Sequence, residues 1–258
     1  MEIHLDLFFE DLEKEKISLL FKDAFPWEPL KYLKEYLLDN VSEINKDIPI
    51  EIPLPESLFL TSEGEMIPLR EIEIFEGSYY FRKQKIEGSI LKAGSVLMGK
   101  KIFFENEVIV EPFAVIFAPA YFSKGTQIRQ GAYIRGNVYT GEKVVIGHVT
   151  EVKNSIILSF AKAAHFAYVG DSILGKEVNL GAGTKLANLK FSKKEIFLTI
   201  NKNTFNTGLK KLGAILGDKS QTGCNVVLQP GTLLGKKSII YPGKVVGPGY
   251  FPPETKIK

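Results

Sequence analysis

From Val110 onward every sixth residue is Val110, Ile116, Phe122, Ile128, Ile134, Thr140, Ile146, Val152 and Leu158, and only Thr140 is not bulky and apolar. The period returns as Leu174, Leu180, Leu186, and again as Leu216, Thr222, Leu228, Leu234, Ile240, Val246. An amphipathic helix repeats about every 3.6 residues and a half-buried strand every second residue, so a period of six is neither. Glycine directly follows many of these positions, as at Gly147, Gly175, Gly181, Gly217, Gly223, Gly235 and Gly247. Glycine supplies turn dihedrals that other residues resist. The pattern predicts short strands joined by tight corners, with three hexads closing a coil of about 18 residues. The fold class is therefore mainly β: a parallel β-helix of hexapeptide repeats whose large residues stack inward, coil upon coil.

Two stretches break the period. Residues 189–212, LKFSKKEIFLTINKNTFNTGLKKL, hold six lysines and one acid between hexads that otherwise resume cleanly. They predict an excursion from the solenoid, and the alternation from Glu195 to Ile200 predicts an extra strand or hairpin arm. Residues 1 to about 85 have no hexads. They start with a strand-like segment and continue as FPWEPLKYLKEYLLDN, where Leu30, Leu33 and Leu37 share one face of a short helix begun after Pro26 or Pro29. The expected division is a small N-terminal α/β cap on the end of the solenoid (1–85), followed by the β-helix (86–258).

The 258 residues, 45% apolar with 33 Lys+Arg against 30 Asp+Glu, are ordinary for a folded protein and exclude a disordered chain. No apolar run approaches the roughly 20 residues a membrane span needs, and the acidic start is unlike a secretory signal, so the expected location is cytoplasmic. A single cysteine, Cys224, excludes an intrachain disulfide and a cysteine-ligated zinc site. An all-histidine metal site would need His4, His148 and His165 together, although His4 precedes the solenoid. The small net charge of +3 hides an asymmetry: residues 1–76 carry a net −12 and the rest +15. A basic body suits phosphorylated metabolites, coenzymes or nucleic acid, and it also suits a solvated surface.

The repeat turns sequence spacing into spatial proximity. Arg135 and Lys153 stand 18 residues apart, one coil above another at a spacing of about 4.8 Å. Stacked cations repel unless an anion lies between them, so the pair reads as a phosphate ladder or as two basic side chains splayed into solvent. His165 lies in AKAAHFAYVGDSILGKEVNLGAGTKLAN, with Tyr168, Asn179 and Asn188 nearby and small residues that let a ligand approach the backbone. The asparagines also suit β-helix corners, where their side chains tolerate left-handed dihedrals.

The segment HFAYVGDSILGKEVNLGAGTKLAN resembles the acetyltransferase half of the bifunctional N-acetylglucosamine-1-phosphate uridyltransferase/glucosamine-1-phosphate acetyltransferase family. Its pattern runs H-x-x-Y-x-G-D, V-N-[IL]-G-A-G-T, then N. The likeness extends upstream to Arg135 and Glu151-Val-Lys153 and downstream through KLGAILGDKSQTGCNV, which is similar to archaeal-type members with a longer arm. The resemblance covers roughly residues 110 to 250. It implies a left-handed, three-sided prism assembled as a homotrimer, without nucleic-acid or membrane partners and without a metal. It also implies acetyl-CoA as co-substrate.

By the same resemblance Arg135, Lys153, Tyr168 and Asn179 bind the sugar 1-phosphate, His165 is the general base and Asn188 orients the reacting groups. Lys194 matches a substrate-contacting lysine of the arm, while Phe197 stands where archaeal-type members carry a second functional lysine. Ala182 lies along the coenzyme, and Cys224 and Pro242 replace small residues of its channel. The family's nucleotidyl-transferring domain opens with a Gly-rich loop followed by Arg and Lys. Residues 1–85 contain only Gly64 and Gly77, so uridyl transfer is not expected of them.

The implied chemistry agrees with the residue inventory. An amine attacking a thioester must lose a proton, and a histidine of ordinary pKa accepts one at neutral pH, for roughly 10² to 10⁴-fold in rate. The thioester supplies the activation. The expected function is an acetyl-CoA-dependent N-acetyltransferase for an amino-sugar 1-phosphate, foremost glucosamine 1-phosphate. The alternatives are another amino sugar or nucleotide sugar as acceptor, a three-histidine zinc hydratase, and a non-catalytic assembly module.

Overall fold

The computed structural model describes residues 3–22, 25–200 and 202–258. The hexads form a parallel β-helix with three faces. The first face runs from Gly88–Leu91 through Val145–His148, Lys162–His165 and Asn179–Leu180 to Lys256–Ile257. Eight strands make the second face, Tyr133–Ile134, Glu151–Lys153, Tyr168–Gly170 and Lys185–Leu186 among them, and eight make the third. The inward column contains Ile116, Ile134, Val152, Val169, Leu186 and Leu228, all fully buried. No helix among the described residues is long and apolar enough to cross a membrane.

One register differs from the hexad reading. Tyr121 pairs with Tyr139, but Tyr139 pairs with Ile156 and Thr140 with Ile157, so this coil is one residue short. Ile157, not Leu158, therefore enters the central column. Leu158 turns outward and is buried against the N-terminal segment. A one-residue slip reverses which face a side chain occupies.

The N-terminal region does two jobs instead of capping the end as one unit. Residues 3–22 contain three short 3-10 turns, at Leu5–Leu7, Leu12–Lys14 and Ser18–Phe21, where a strand-like segment was expected. The helix Pro29–Asn40 starts with proline at its first position and buries Leu30, Leu33 and Leu37. These residues, with Phe8, Phe21 and Trp27, pack along the third face over Tyr139, Ile156, Leu158 and Ile215. They form a flank. The end of the prism is sealed by Ile44, Ile48, Leu54, Leu58 and Leu60, which join the central core. The strand Leu58–Thr61 runs antiparallel to Gly88–Leu91, so it interrupts the parallel stacking at that end.

Charge helps seat the flank. Glu10 faces Lys236 at 2.9 Å, Lys237 at 3.8 Å and Lys219 at 4.0 Å, and these basic partners hold its carboxyl below the usual range. Glu15 is buried, and its carboxylate accepts the backbone N–H of Ser159 at 3.2 Å and the hydroxyl of Ser159 at 3.1 Å. Gly141 makes room for this contact: a Cβ there would lie 2.4 Å from Ser159 N and 2.8 Å from Glu15 Oε2. Asp218 accepts the N–H of Glu10 at 2.6 Å and of Lys176 at 2.7 Å. Burial nevertheless pushes its carboxyl up to about 6.

The excursion is a hairpin, Phe197–Ile200 paired antiparallel with Asn203–Asn206. Ile196, Leu198 and Ile200 are buried on the third face, and the Phe205 ring lies 5.5 Å from Phe25 of the flank. The hairpin thus folds against its own prism. The loop before it points outward and leaves Phe191 fully exposed.

Candidate active site

Each coil turns between the first and second faces with one residue in the left-handed region: Val149 (φ 53), Phe166 (φ 35), Gly183 (φ 72), Asn225 (φ 56) and Gly243 (φ 72). The residues just before them stack as a column, because each corner N–H donates to the preceding coil. Phe166 N donates to His148 O, Gly183 N to His165 O, Asn225 N to Ala182 O and Gly243 N to Cys224 O. His148, His165, Ala182, Cys224 and Pro242 therefore line one edge of the prism. His165, implied as base, and the three residues implied for the coenzyme share that edge although 77 residues separate the first from the last.

The two histidines of the edge differ. His148 Nδ1 lies 3.1 Å from Gln130 O and donates to it. The exposed ring of His165 makes no hydrogen bond with the described residues, so the fold does not fix its tautomer.

On the second face lies a polar cluster. Tyr133 pairs with Glu151 and Ile134 with Val152, so one step further along the same register Arg135 stands over Lys153. The cations do stack, but each already faces a carboxylate, which corrects the picture of a bare ladder. Arg135 donates to Glu151 at 2.8 Å, and Lys153 lies 3.6 Å from Asp171. Glu151 raises the Arg135 guanidinium further, chiefly through that hydrogen bond.

Tyr168 and Asn188 meet above Gly170, where a Cβ would lie 2.6 Å from the tyrosine hydroxyl and 2.9 Å from the amide nitrogen. Burial raises the Tyr168 hydroxyl, Glu151 and Asp171 add to the rise, and Arg135 and the Asn188 amide oppose it. Asn188 also donates to Asp171, and so does Asn154, at 2.9 Å. A concavity of about 450 Å³ opens here, lined by Glu151, Phe166, Tyr168, Lys185 and Asn188 among others.

Not every implied residue joins this cluster. Asn179 projects from the first face, paired with Lys162 and Gln221, into a groove of about 940 Å³ that also holds Arg129, Lys143 and Phe160. Both point outward just before a core residue, Asn179 before Leu180 on the first face and Tyr168 before Val169 on the second, so their positions around the coil separate them. Lys194 is exposed in the loop leading to the hairpin. Phe197 begins the first hairpin strand and is exposed. Asp171, the last residue of the H-x-x-Y-x-G-D motif, also belongs to this cluster, and its place in that motif is the signal in the sequence that could reveal it.

A β-helix edge carrying histidine beside a cationic, amide-bearing face defines the class as a hexapeptide-repeat acyltransferase. A family model described as the GMPPB C-terminal domain matches residues 116–242. A bifunctional sugar-1-phosphate nucleotidylyltransferase/acetyltransferase of Sulfurisphaera tokodaii is 39% identical over an alignment of 295 positions, gaps included, which covers 95% of this chain and 73% of that protein. The chain belongs to that bifunctional nucleotidylyltransferase/acetyltransferase family. The bifunctional protein GlmU of Methanococcus vannielii is 37% identical over 174 residues, covering 66% of this chain and 41% of the relative. A solved UDP-N-acetylglucosamine acyltransferase of Francisella novicida superposes with a TM-score of 0.46 at 16% identity, covering 62% of this chain and 56% of that one. That likeness is too remote to bear on substrate.

Proposed function

We propose that the protein transfers the acetyl group of acetyl-CoA to the amine of an amino-sugar 1-phosphate, foremost glucosamine 1-phosphate. One observation carries the reading: the edge of His165, Ala182, Cys224 and Pro242 runs beside the face that presents Arg135, Lys153, Tyr168 and Asn188. An extended thioester along the edge would bring its carbonyl to His165. A phosphate on the neighbouring face would meet two cations and a phenol.

In this reading the acceptor nitrogen attacks the thioester carbonyl, the new C–N bond forms, and the C–S bond breaks. The proton leaves the amine for His165 and passes to the departing thiolate. Backbone N–H groups at small-residue corners would steady the developing oxyanion. Residues 86–258 would form the catalytic domain, with residues 1–85 bracing it.

Assembly as a homotrimer supplies what one chain lacks. Asn179 and Tyr168 occupy different faces, and both reach one ligand only where the first face of one prism meets the second face of another. The outward loop carrying Lys194 would close such a site from a neighbour. Light scattering should give three times the 28.8 kDa chain mass. The deciding experiment is thiol release from acetyl-CoA over a panel of amino-sugar phosphates. Fastest release with glucosamine 1-phosphate supports the reading. Release with none of them would leave a hexapeptide assembly module as the better account.

A further inference from the structure

We propose that Asp171 is a positioning residue that turns the Asn188 amide so that its oxygen and the Tyr168 hydroxyl hydrogen both face the ligand. The inference deepens the function proposed above and rests on it. Asp171 is buried at the corner between the second and third faces, in the left-handed region at φ 47. Asn154, one coil earlier, has the same conformation at φ 44. Aspartate and asparagine tolerate that backbone, so the corner alone explains their residue types. It does not explain what surrounds the carboxylate.

An ionised carboxylate only accepts hydrogen bonds. Asn154 Nδ2 donates to Asp171 Oδ1 at 2.9 Å, Asn188 Nδ2 donates to Oδ2, and Lys153 lies 3.6 Å from Oδ2. The amide nitrogen of Asn188 must therefore face inward. Its other hydrogen is free for the Tyr168 oxygen, which borders the same spot above Gly170 and whose rise in pKa the Asn188 amide opposes. With that oxygen accepting, the Tyr168 hydrogen is left to donate outward, and Asn188 Oδ1 is left to accept. The pair thus reads a ligand that offers an anionic oxygen and an N–H together, which is the chemistry of an amine-bearing phosphate ester. Reversing the amide would present two donors and lose the amine.

The test uses two variants of the whole chain. In Asp171→Asn one oxygen must serve two donors, so the order of donors and acceptors fails. In Asn154→Asp/Asp171→Asn the carboxylate moves one coil, Asn at 171 donates to it, and its amide oxygen again accepts from Asn188. We expect Asp171→Asn to lower kcat/KM for the sugar phosphate about 10 to 100-fold with little change in KM for acetyl-CoA. The double variant should recover to within about threefold of wild type. The side-chain amide signals of Asn188, assigned in ¹⁵N-asparagine-labelled protein by their loss in Asn188→Ala, should shift in the single variant and return in the double. Wild-type kinetics in Asp171→Asn, or returned amide signals without returned activity, would overturn the proposal. If wild type acetylated no amino-sugar phosphate, the functional reading would fall, while the amide signals would still decide whether Asp171 orients Asn188.

Discussion

The third face of the prism is clothed by its own chain, and the edge between the first and second faces is bare. Over the third face lie the helix Pro29–Asn40, Trp27 and the hairpin residues Ile196, Leu198 and Ile200, all burying apolar side chains. Along the bare edge Phe113, Val149 and Phe166 remain 64%, 52% and 53% exposed while in left-handed conformations that bulky residues disfavour. Of the motif residues, His165 and Tyr168 fall beside the bare edge, and Asn188 stands at the far side of the second face, where it donates to Asp171. The proposed function puts bracing on the covered face and binding on the uncovered edge and the second face.

The sharpest way to break that contrast is to alter each side and ask which property moves. On the bare edge, His165→Ala should lower acetyl transfer at least about 100-fold with the fold and assembly unchanged, because it removes a proton acceptor and no core contact. His148→Ala is the control, since His148 lies on the same edge one coil before His165 and two coils before Ala182. Should His148→Ala abolish turnover and His165→Ala spare it, the base would have been assigned one coil too far along the edge.

The second-face cations come next. Replacing Arg135 or Lys153 by Ala should raise KM for the sugar phosphate about 10 to 150-fold and leave KM for acetyl-CoA nearly unchanged. Their carboxylate partners change the stability expectation. Relief of repulsion would have raised the melting temperature, but Lys153→Ala leaves buried Asp171 without its cation, whereas Arg135→Ala strands only the half-buried Glu151. Lys153→Ala should therefore melt lower than Arg135→Ala. Equal melting temperatures with an unchanged KM would remove both residues from the site.

How much of this was legible in the chain differs in the same way between the two regions. The hexads reveal the prism because one large residue per side is a packing requirement repeated coil after coil. They misplace Leu158 because Ile157 and Leu158 are both apolar, and a coil shortened by one residue leaves no polar mark. The motif around His165 identifies Tyr168 and Asn188 as neighbours, but Asn179 falls on the other face because its strand is a different side of the coil, which its outward position before Leu180 does not reveal. Nothing in residues 3–41 states which surface their leucines and phenylalanines will cover. An amphipathic segment specifies that it must be buried, and the partner is fixed only by the three-dimensional register of the prism.

On the covered side the pH dependence is specific. Burial raises the Asp218 carboxyl from 3.8 to about 6, so the folded state holds this proton more tightly than the unfolded state does. The stability this gives is present below about pH 4 and is lost as the pH rises through about 6. Compared with Asp218→Asn, which does not titrate, wild type should lose roughly 3 kcal/mol of relative stability across that window. Denaturant titrations of both proteins at several pH values measure it. A constant difference would mean that the N–H groups of Glu10 and Lys176 fully offset the burial.

The smallest effect concerns Glu15, and it tests whether the cover is bracing alone. Its carboxylate is the acceptor for both the N–H and the hydroxyl of Ser159, in a space that Gly141 leaves open. Glu15→Ala would leave those donors seeking a partner, at a cost of about 1 to 3 kcal/mol unless water enters. Amide exchange over residues 3–22 should quicken with that loss, because local opening needs less free energy once the anchor is gone. Turnover at saturating substrates should stay near wild type, since Ser159, which Glu15 holds, lies outside the edge and the second face. A large fall in kcat with the fold intact would mean that the flank transmits its position through the prism to His165, and the division between a bracing face and a reacting edge would have to be abandoned.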